Sequence, residues 1–359
     1  MAHIFHHWTT LAPLAAAVIL GLVYALGEQP WLLAGCGVAL VAAVLAAVHH
    51  AEVIAHRVGE PLGTLVLALA VTVIEAALLL SLLVAGGAGM ETLPRDTVYA
   101  TVMIITTGVV GMCTLIGGLA HREQSFRVEG AGGGLAALIV LAVVTLVLPD
   151  FTITTGVGTY SRAQSVFAAV ISAALWGIFV FVQTVRHRDY FLPHDHHAHP
   201  DEHALPPSRR QAATSFALLL VALVVVVGLA KVLSHPLEEF VEAFHLPQGV
   251  VGIVVAMVVL LPETWAAIRA AHANRLQSSM NLAIGSALAT IGLTVPVVVA
   301  CANAYGLPLV LGLEPKDIVL LATALLVSVV TLGTGRTSMM QGAVHLVLFA
   351  TYLFLACVP

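Results

Sequence analysis

Eleven runs of about 20 apolar residues, separated by short polar connections, constrain this chain more than any single motif in it. A run of that length crosses a hydrocarbon core ~30 Å thick as an α-helix. Inside lipid each backbone N–H and C=O must be satisfied without water, so such runs are helical or nothing. They fall at roughly 10–27, 31–49, 61–86, 97–120, 134–149, 163–185, 213–234, 248–271, 280–303, 317–334 and 339–358. Of the 359 residues 60% are hydrophobic and 9% charged, against about 25% charged in soluble domains. The expected fold class is an all-α polytopic membrane protein of about eleven transmembrane helices. The N-terminal run has no basic residue before it and no small-residue cleavage pattern after it, so it reads as a retained first span.

Two of those runs carry a carboxylate deep inside them: Glu75 in the third and Glu263 in the eighth. The other 17 of the 19 acidic residues read as lying in connections or at helix ends. A charge at mid-bilayer costs roughly 2.5–3.5 kcal/mol on insertion scales, so an intramembrane acid is a functional-site hypothesis by default. Structural carboxylates that only bond a neighbouring helix are the ordinary alternative, and it is harder to hold for two acids at matching places.

The distribution of basic residues orients the chain. With eleven spans, loops 50–60, 121–133, 186–212, 269–280 and 333–338 share one side with the N-terminus. They carry ten of the 14 Arg and Lys; Arg95, Arg162, Lys231 and Lys316 lie opposite. The N-terminus and the 186–212 linker are thus expected in the cytoplasm and the C-terminus outside, in the cytoplasmic (inner) membrane of a bacterium. The third and eighth runs then cross in opposite directions. Each is followed by a run rich in small and hydroxyl residues, ATVMIITTGVVGMCTLIGG from Ala100 and GSALATIGLTVPVVV from Gly285. This divides the chain into an N-terminal helix (1–30), a five-helix repeat (31–185), a linker (186–212) and a second five-helix repeat of opposite topology (213–359). Inverted repeats with midplane ion sites are a signature of secondary transporters.

Two carboxylates held close together can bind one cation, or bind protons instead, since like charges in a low-dielectric site raise one pKa. Ca²⁺ takes 6–8 oxygens, so other ligands must assist. Thr72 lies on the helix face of Glu75, and Thr101, Thr106, Thr107, Ser286 and Thr290 lie in the two following runs. Pro262 cannot donate to the carbonyl of Val258, which leaves that oxygen as a further candidate. Each hydroxyl is equally well explained as helix packing.

Other features weigh less. His194, His196, His197, His199 and His203 in the linker form a candidate regulatory metal or pH-sensing cluster, against the plainer reading of a solvated linker. Glu52, His56 and Glu60 read as wet loop residues, Gly130–Gly134 as a loop end or hinge, and His345 as a histidine bonded within the bundle or a proton relay. Cys36, Cys113, Cys301 and Cys357 have no metal spacing and read as small core residues.

The runs LALAVTVIEAALL (67–79), TTGVVGMCTLIGG (106–118), LLPETWAAIRAA (260–271) and AIGSALATIGLTVPV (283–297) resemble the paired alpha-repeats of the calcium/cation antiporter superfamily. Within it they are most similar to the cation/proton exchangers, of the bacterial ChaA calcium/proton type. The resemblance implies that Glu75 and Glu263 are the central cation and proton ligands. Where many such exchangers have Gly-Asn-Ala-x-Glu, this chain has Val71, Thr72, Val73, Ile74 and Glu75, then Val259, Leu260, Leu261, Pro262 and Glu263; family amides align with Ile105 and Ala289.

The expected function is Ca²⁺/H⁺ exchange by alternating access, with Na⁺ or K⁺ also carried, the second and third helices moving with the seventh and eighth. A Na⁺(K⁺)/H⁺ antiporter with little Ca²⁺ transport fits the same residues, and a Zn²⁺ exporter using the His-rich linker fits less well. The expected partners are inorganic cations and the bilayer, with no nucleic acid and no cofactor; a homo-oligomer is compatible. Absence of GxxxxGK[ST], HExxH and GxSG argues against ATP coupling and against a protease, so no enzyme is expected.

Overall fold

The computed structural model describes residues 2–59, 62–85, 90–191, 207–244 and 246–358. Among them are eleven helices long and apolar enough to cross a membrane. They are α1 (Ala2–Leu26), α2 (Pro30–Val58), α3 (Leu62–Ala85), α4 (Leu93–His121), α5 (Val128–Phe151) and α6 (Arg162–Arg186). After the linker come α7 (Arg209–Ala243), α8 (Gly249–His272), α9 (Leu276–Tyr305), α10 (Pro315–Leu332) and α11 (Met339–Cys357).

Two helices outrun their apolar cores. α2 continues through the polar stretch to Val58, so Glu52 and His56 are helical and not loop residues, with Glu52 half-buried. α7 extends to Ala243 and takes Pro236 and Lys231 into the helix. An amphipathic continuation that packs on neighbours does not need the hydropathy of a lipid-facing turn, so composition marks the end of the span too early. Glu60 lies outside the described residues.

The chain forms two contact units, Met1–Met90 with His199–His245, and Glu91–Ala198 with Leu246–Pro359. In the first, α2 packs along α1, α3 and α7. His50, 4% exposed, ties three of these together: its Nε2 donates to the Thr9 carbonyl (3.0 Å) and its Nδ1 lies 3.2 Å from Ser215 Oγ. Ser81 of α3 donates to the Val227 carbonyl of α7 (2.9 Å), and Arg57 to the Pro207 carbonyl (3.2 Å).

In the second unit α4 packs against α8 and α11, and α9 against α5, α6 and α8. Loop contacts sort the connections onto two ends. At one, strand β1 (Glu123–Ser125) pairs antiparallel with β2 (Arg336–Ser338), Gln124 Nε2 donates to the Ala271 carbonyl (2.8 Å), and Asn281 Nδ2 donates to the Phe191 carbonyl (2.6 Å). At the other, Val310 N–H donates to Glu91 O (3.0 Å), Arg95 Nη1 to Gly312 O (3.0 Å), and Leu311 and Gly312 N–H to Gly158 O (2.9 Å). This is the alternation that successive membrane spans require of these loops. It also makes α4 and α9 run in opposite directions, since α4 ends where α9 begins.

Both helices are interrupted at the same place by a π turn, Ile104–Val109 in α4 and Thr290–Thr294 in α9. Each π turn holds a glycine covered by an aromatic side chain of the last helix of the other half. A Cβ on Gly108 would lie 3.3 Å from the Phe349 ring of α11, and one on Gly292 would collide with Trp176 of α6. The inverted five-helix repeat is thus visible in backbone geometry as well as in sequence, with α1 as the extra N-terminal helix.

The Gly130–Gly134 run is neither loop nor hinge. It forms the first turns of α5, where Gly130 admits the Tyr190 carbonyl (2.5 Å from its would-be Cβ) and Gly134 admits Ile284 (2.8 Å). Small residues let membrane helices approach closely, and that is their use here. Of the cysteines, Cys36 and Cys113 are buried, whereas Cys301 is half-buried and Cys357 exposed, so only the first two are core residues. Gly177 of α6 meets nothing within 4 Å. Gly177→Ala should therefore raise thermal stability slightly, by the ~0.5–1 kcal/mol that a helical Gly→Ala exchange gives, read as a higher unfolding temperature in detergent.

Candidate cation and proton site

Glu75 lies in the middle of α3 in the first unit and is 2% exposed. Thr72, one turn earlier, is 5% exposed, and its hydroxyl donates to the Ala68 carbonyl at 2.8 Å. Thr106 donates in the same way to Val102 O (2.7 Å) and Thr107 to Met103 O. A hydroxyl that gives its proton to the carbonyl four residues back keeps its lone pairs as acceptors. That is the form in which hydroxyl oxygens ligate a hard cation.

Glu263 lies in α8 of the second unit, half-buried, directly after Pro262 inside the helix. A proline there removes the hydrogen bond to the carbonyl of Val258. α8 packs against α4 and α9, which carry Thr101 and Thr106, and Ser286 and Thr290, respectively. Thr101, Thr106 and Thr290 are buried and Ser286 is half-buried. The second unit therefore gathers Glu263, Val258 and these four hydroxyl residues onto three mutually packed helices, while Glu75 and Thr72 share α3. His194, His196, His197, His199 and His203 lie outside the described residues. Among the described residues no group of three or more His, Cys, Asp or Glu side chains comes together.

Two features were not readable beforehand. The π turns put irregular backbone beside the hydroxyls; such turns occur often at functional sites, and the only trace in the sequence is the β-branched runs before Gly108 and Gly292. Asp96, grouped by sequence with the helix-end acids, is 8% exposed in the first turn of α4. Arg95 Nε (2.7 Å) and the Thr92 hydroxyl (2.9 Å) hold its carboxylate, and Gly252 of α8 packs on its backbone, 2.7 Å from the would-be Cβ to Asp96 C. His345, expected from the sequence as a histidine bonded within the bundle or a proton relay, is 0% exposed in α11 and so bonded: its Nδ1 lies 2.7 Å from the Thr106 carbonyl.

The profile of the sodium/calcium exchanger protein family matches residues 28–185 and 214–358. The protein y4hA of Sinorhizobium fredii is 47% identical over 98% of this chain and 96% of its own length. The sodium-potassium/proton antiporter ChaA of Escherichia coli is 36% identical, covering 88% of this chain and 86% of its own. Among solved structures, native YfkE superposes with a TM-score of 0.75 at 19% identity, covering 98% of this chain and all of that one, which shows a shared fold. Profile and identity together place the chain in the sodium/calcium exchanger protein family, a family of membrane transporters and not of enzymes.

Proposed function

We propose that this protein is a cation/proton antiporter in which an inorganic cation and protons take turns on Glu75 and Glu263. The observation that carries this reading is one carboxylate in the corresponding apolar helix of each of two oppositely running repeats, each repeat going on to a helix broken by a π turn. We read 31–185 and 213–359 as those repeats, with 1–30 and 186–212 outside them. Alternating access exposes the glutamates to one side at a time. In the structure α2, α3 and α7 group together and α8 groups with the other unit, so the moving body is better drawn without α8. By the excess of Arg on the β1–β2 end, that end faces the cytoplasm.

Na⁺ and K⁺ are the cargo favoured by the 36% identical relative, named a sodium-potassium/proton antiporter. The ligand chemistry agrees: aliphatic residues and Pro262 stand where amide ligands are common, leaving few side-chain oxygens for a cation that prefers 6–8 of them. Ca²⁺ exchange is the second reading, favoured by the two carboxylates themselves, which neutralise a divalent ion. Purified protein in liposomes with a trapped pH dye separates them. Alkalinisation of an acid-loaded lumen on adding Na⁺ or K⁺, with a weak response to Ca²⁺, is the expected outcome; a response to Ca²⁺ alone selects the second reading, and a response to Zn²⁺ alone contradicts both.

A further inference from the structure

The carbonyl of Thr106 lies within the π turn of α4, where the backbone ladder is widened, and its hydrogen bond comes from another helix. A carbonyl only accepts, so the His345 Nδ1 at 2.7 Å carries a proton. The other ring nitrogen, Nε2, lies 3.0 Å from the Thr331 hydroxyl of α10, which donates to it in a neutral imidazole. The ring is fully enclosed, and glycines make room for its helix: a Cβ on Gly111 would lie 3.0 Å from His345 Cβ, and one on Gly342 would collide with the Leu115 backbone. α11 thus presses a single donor against the irregular turn of α4.

The last helix of the first repeat, α6, shows what is special about this. Phe349 covers Gly108 and Trp176 covers Gly292; four residues before each stand His345 and Ser172. Ser172 is 0% exposed, and its hydroxyl has no hydrogen-bond partner. The spacing from the covering aromatic is the same, yet only α11, the last helix of the second repeat, places a long, rigid, two-ended donor and acceptor there. A packing residue would not need two polar partners on two different helices.

We propose that His345 is a positioning residue: it holds the π turn of α4 from outside, and so sets where the Thr106 and Thr107 oxygens stand and how tightly the site holds its cation. It does not touch the cation. This rests on the reading of α4 as part of the cation site given above.

Three variants test it in proteoliposomes. His345→Leu removes the donor and should raise the KM for the transported cation about tenfold, the effect of one lost buried hydrogen bond, with turnover at saturation little changed. His345→Asn, whose amide places an N–H near the Nδ1 position, should restore KM to within about threefold. Phe349→Leu, which alters packing beside the turn and leaves the donor, should lower the unfolding temperature and leave KM unchanged. Equal KM values for wild type and His345→Leu, or equal losses in His345→Leu and His345→Asn, would overturn the proposal. Independently of transport, ¹⁵N NMR of labelled histidine should show His345 as the neutral Nδ1–H tautomer; the Nε2–H tautomer overturns it. If Glu75→Gln still exchanges cations, the site reading itself fails. If Glu75→Gln is inactive and His345→Leu keeps a wild-type KM, only the positioning role fails.

Discussion

Glu75→Gln and Glu263→Gln should each abolish coupled exchange while the protein still inserts in the membrane. Glutamine keeps the shape and the hydrogen-bonding capacity of the side chain, and it removes both the charge and the proton. Two unit charges 4 Å apart interact by ~4 kcal/mol at an effective dielectric of 20, so losing one carboxylate should weaken cation binding by at least ~100-fold. Insertion should not suffer, because a neutral amide is less costly at mid-membrane than a carboxylate. Uptake of labelled cation into liposomes, with gel filtration to confirm the folded state, measures both. Glu52→Gln is the matched control: Glu52 is half-buried in α2 and lies outside the site, so its exchange rate should stay at the wild-type value.

The second large effect is structural. Gly342 of α11 packs on the Leu115 backbone of α4, and Gly118 of α4 packs on Met339 from the other side. A side chain added at either place meets backbone atoms, which cannot rotate away. Overpacking in cores costs typically 1–3 kcal/mol, and Gly342→Val should lie at or above the upper end. It should lower the unfolding temperature in detergent by several degrees or prevent accumulation of the protein. Gly177→Ala, made in open space, should do neither.

The contrast between what sequence reveals and what it hides follows from which forces leave a trace in composition. Burial in lipid demands long apolar runs, so all eleven helices are visible in the residues alone, and the cost of an intramembrane charge makes Glu75 and Glu263 stand out. Counting spans also sorted the loops onto alternate ends: Gln124 with Ala271, and Arg95 with Gly312, meet as alternating crossings require. Packing between helices leaves weaker marks. The Gly130–Gly134 run looks like a flexible connection and is a close contact between helices. The rings that lie across Gly108 and Gly292 in the π turns, Phe349 and Trp176, come from far away in the chain. Asp96 looks like any first-turn acid favoured by the helix dipole, and only the approach of Gly252 shows that it is buried.

The central claim is that cation and protons compete for the same two carboxylates. A carboxylate must be deprotonated to hold a metal ion, so binding releases protons and affinity falls as pH falls. Proton release on adding the transported cation to purified protein in weakly buffered detergent solution tests this directly. The account predicts release from the wild-type protein, a cation Kd that rises as the pH is lowered, and neither effect in Glu75→Gln or Glu263→Gln. Cation binding with no proton release and a Kd independent of pH would contradict it.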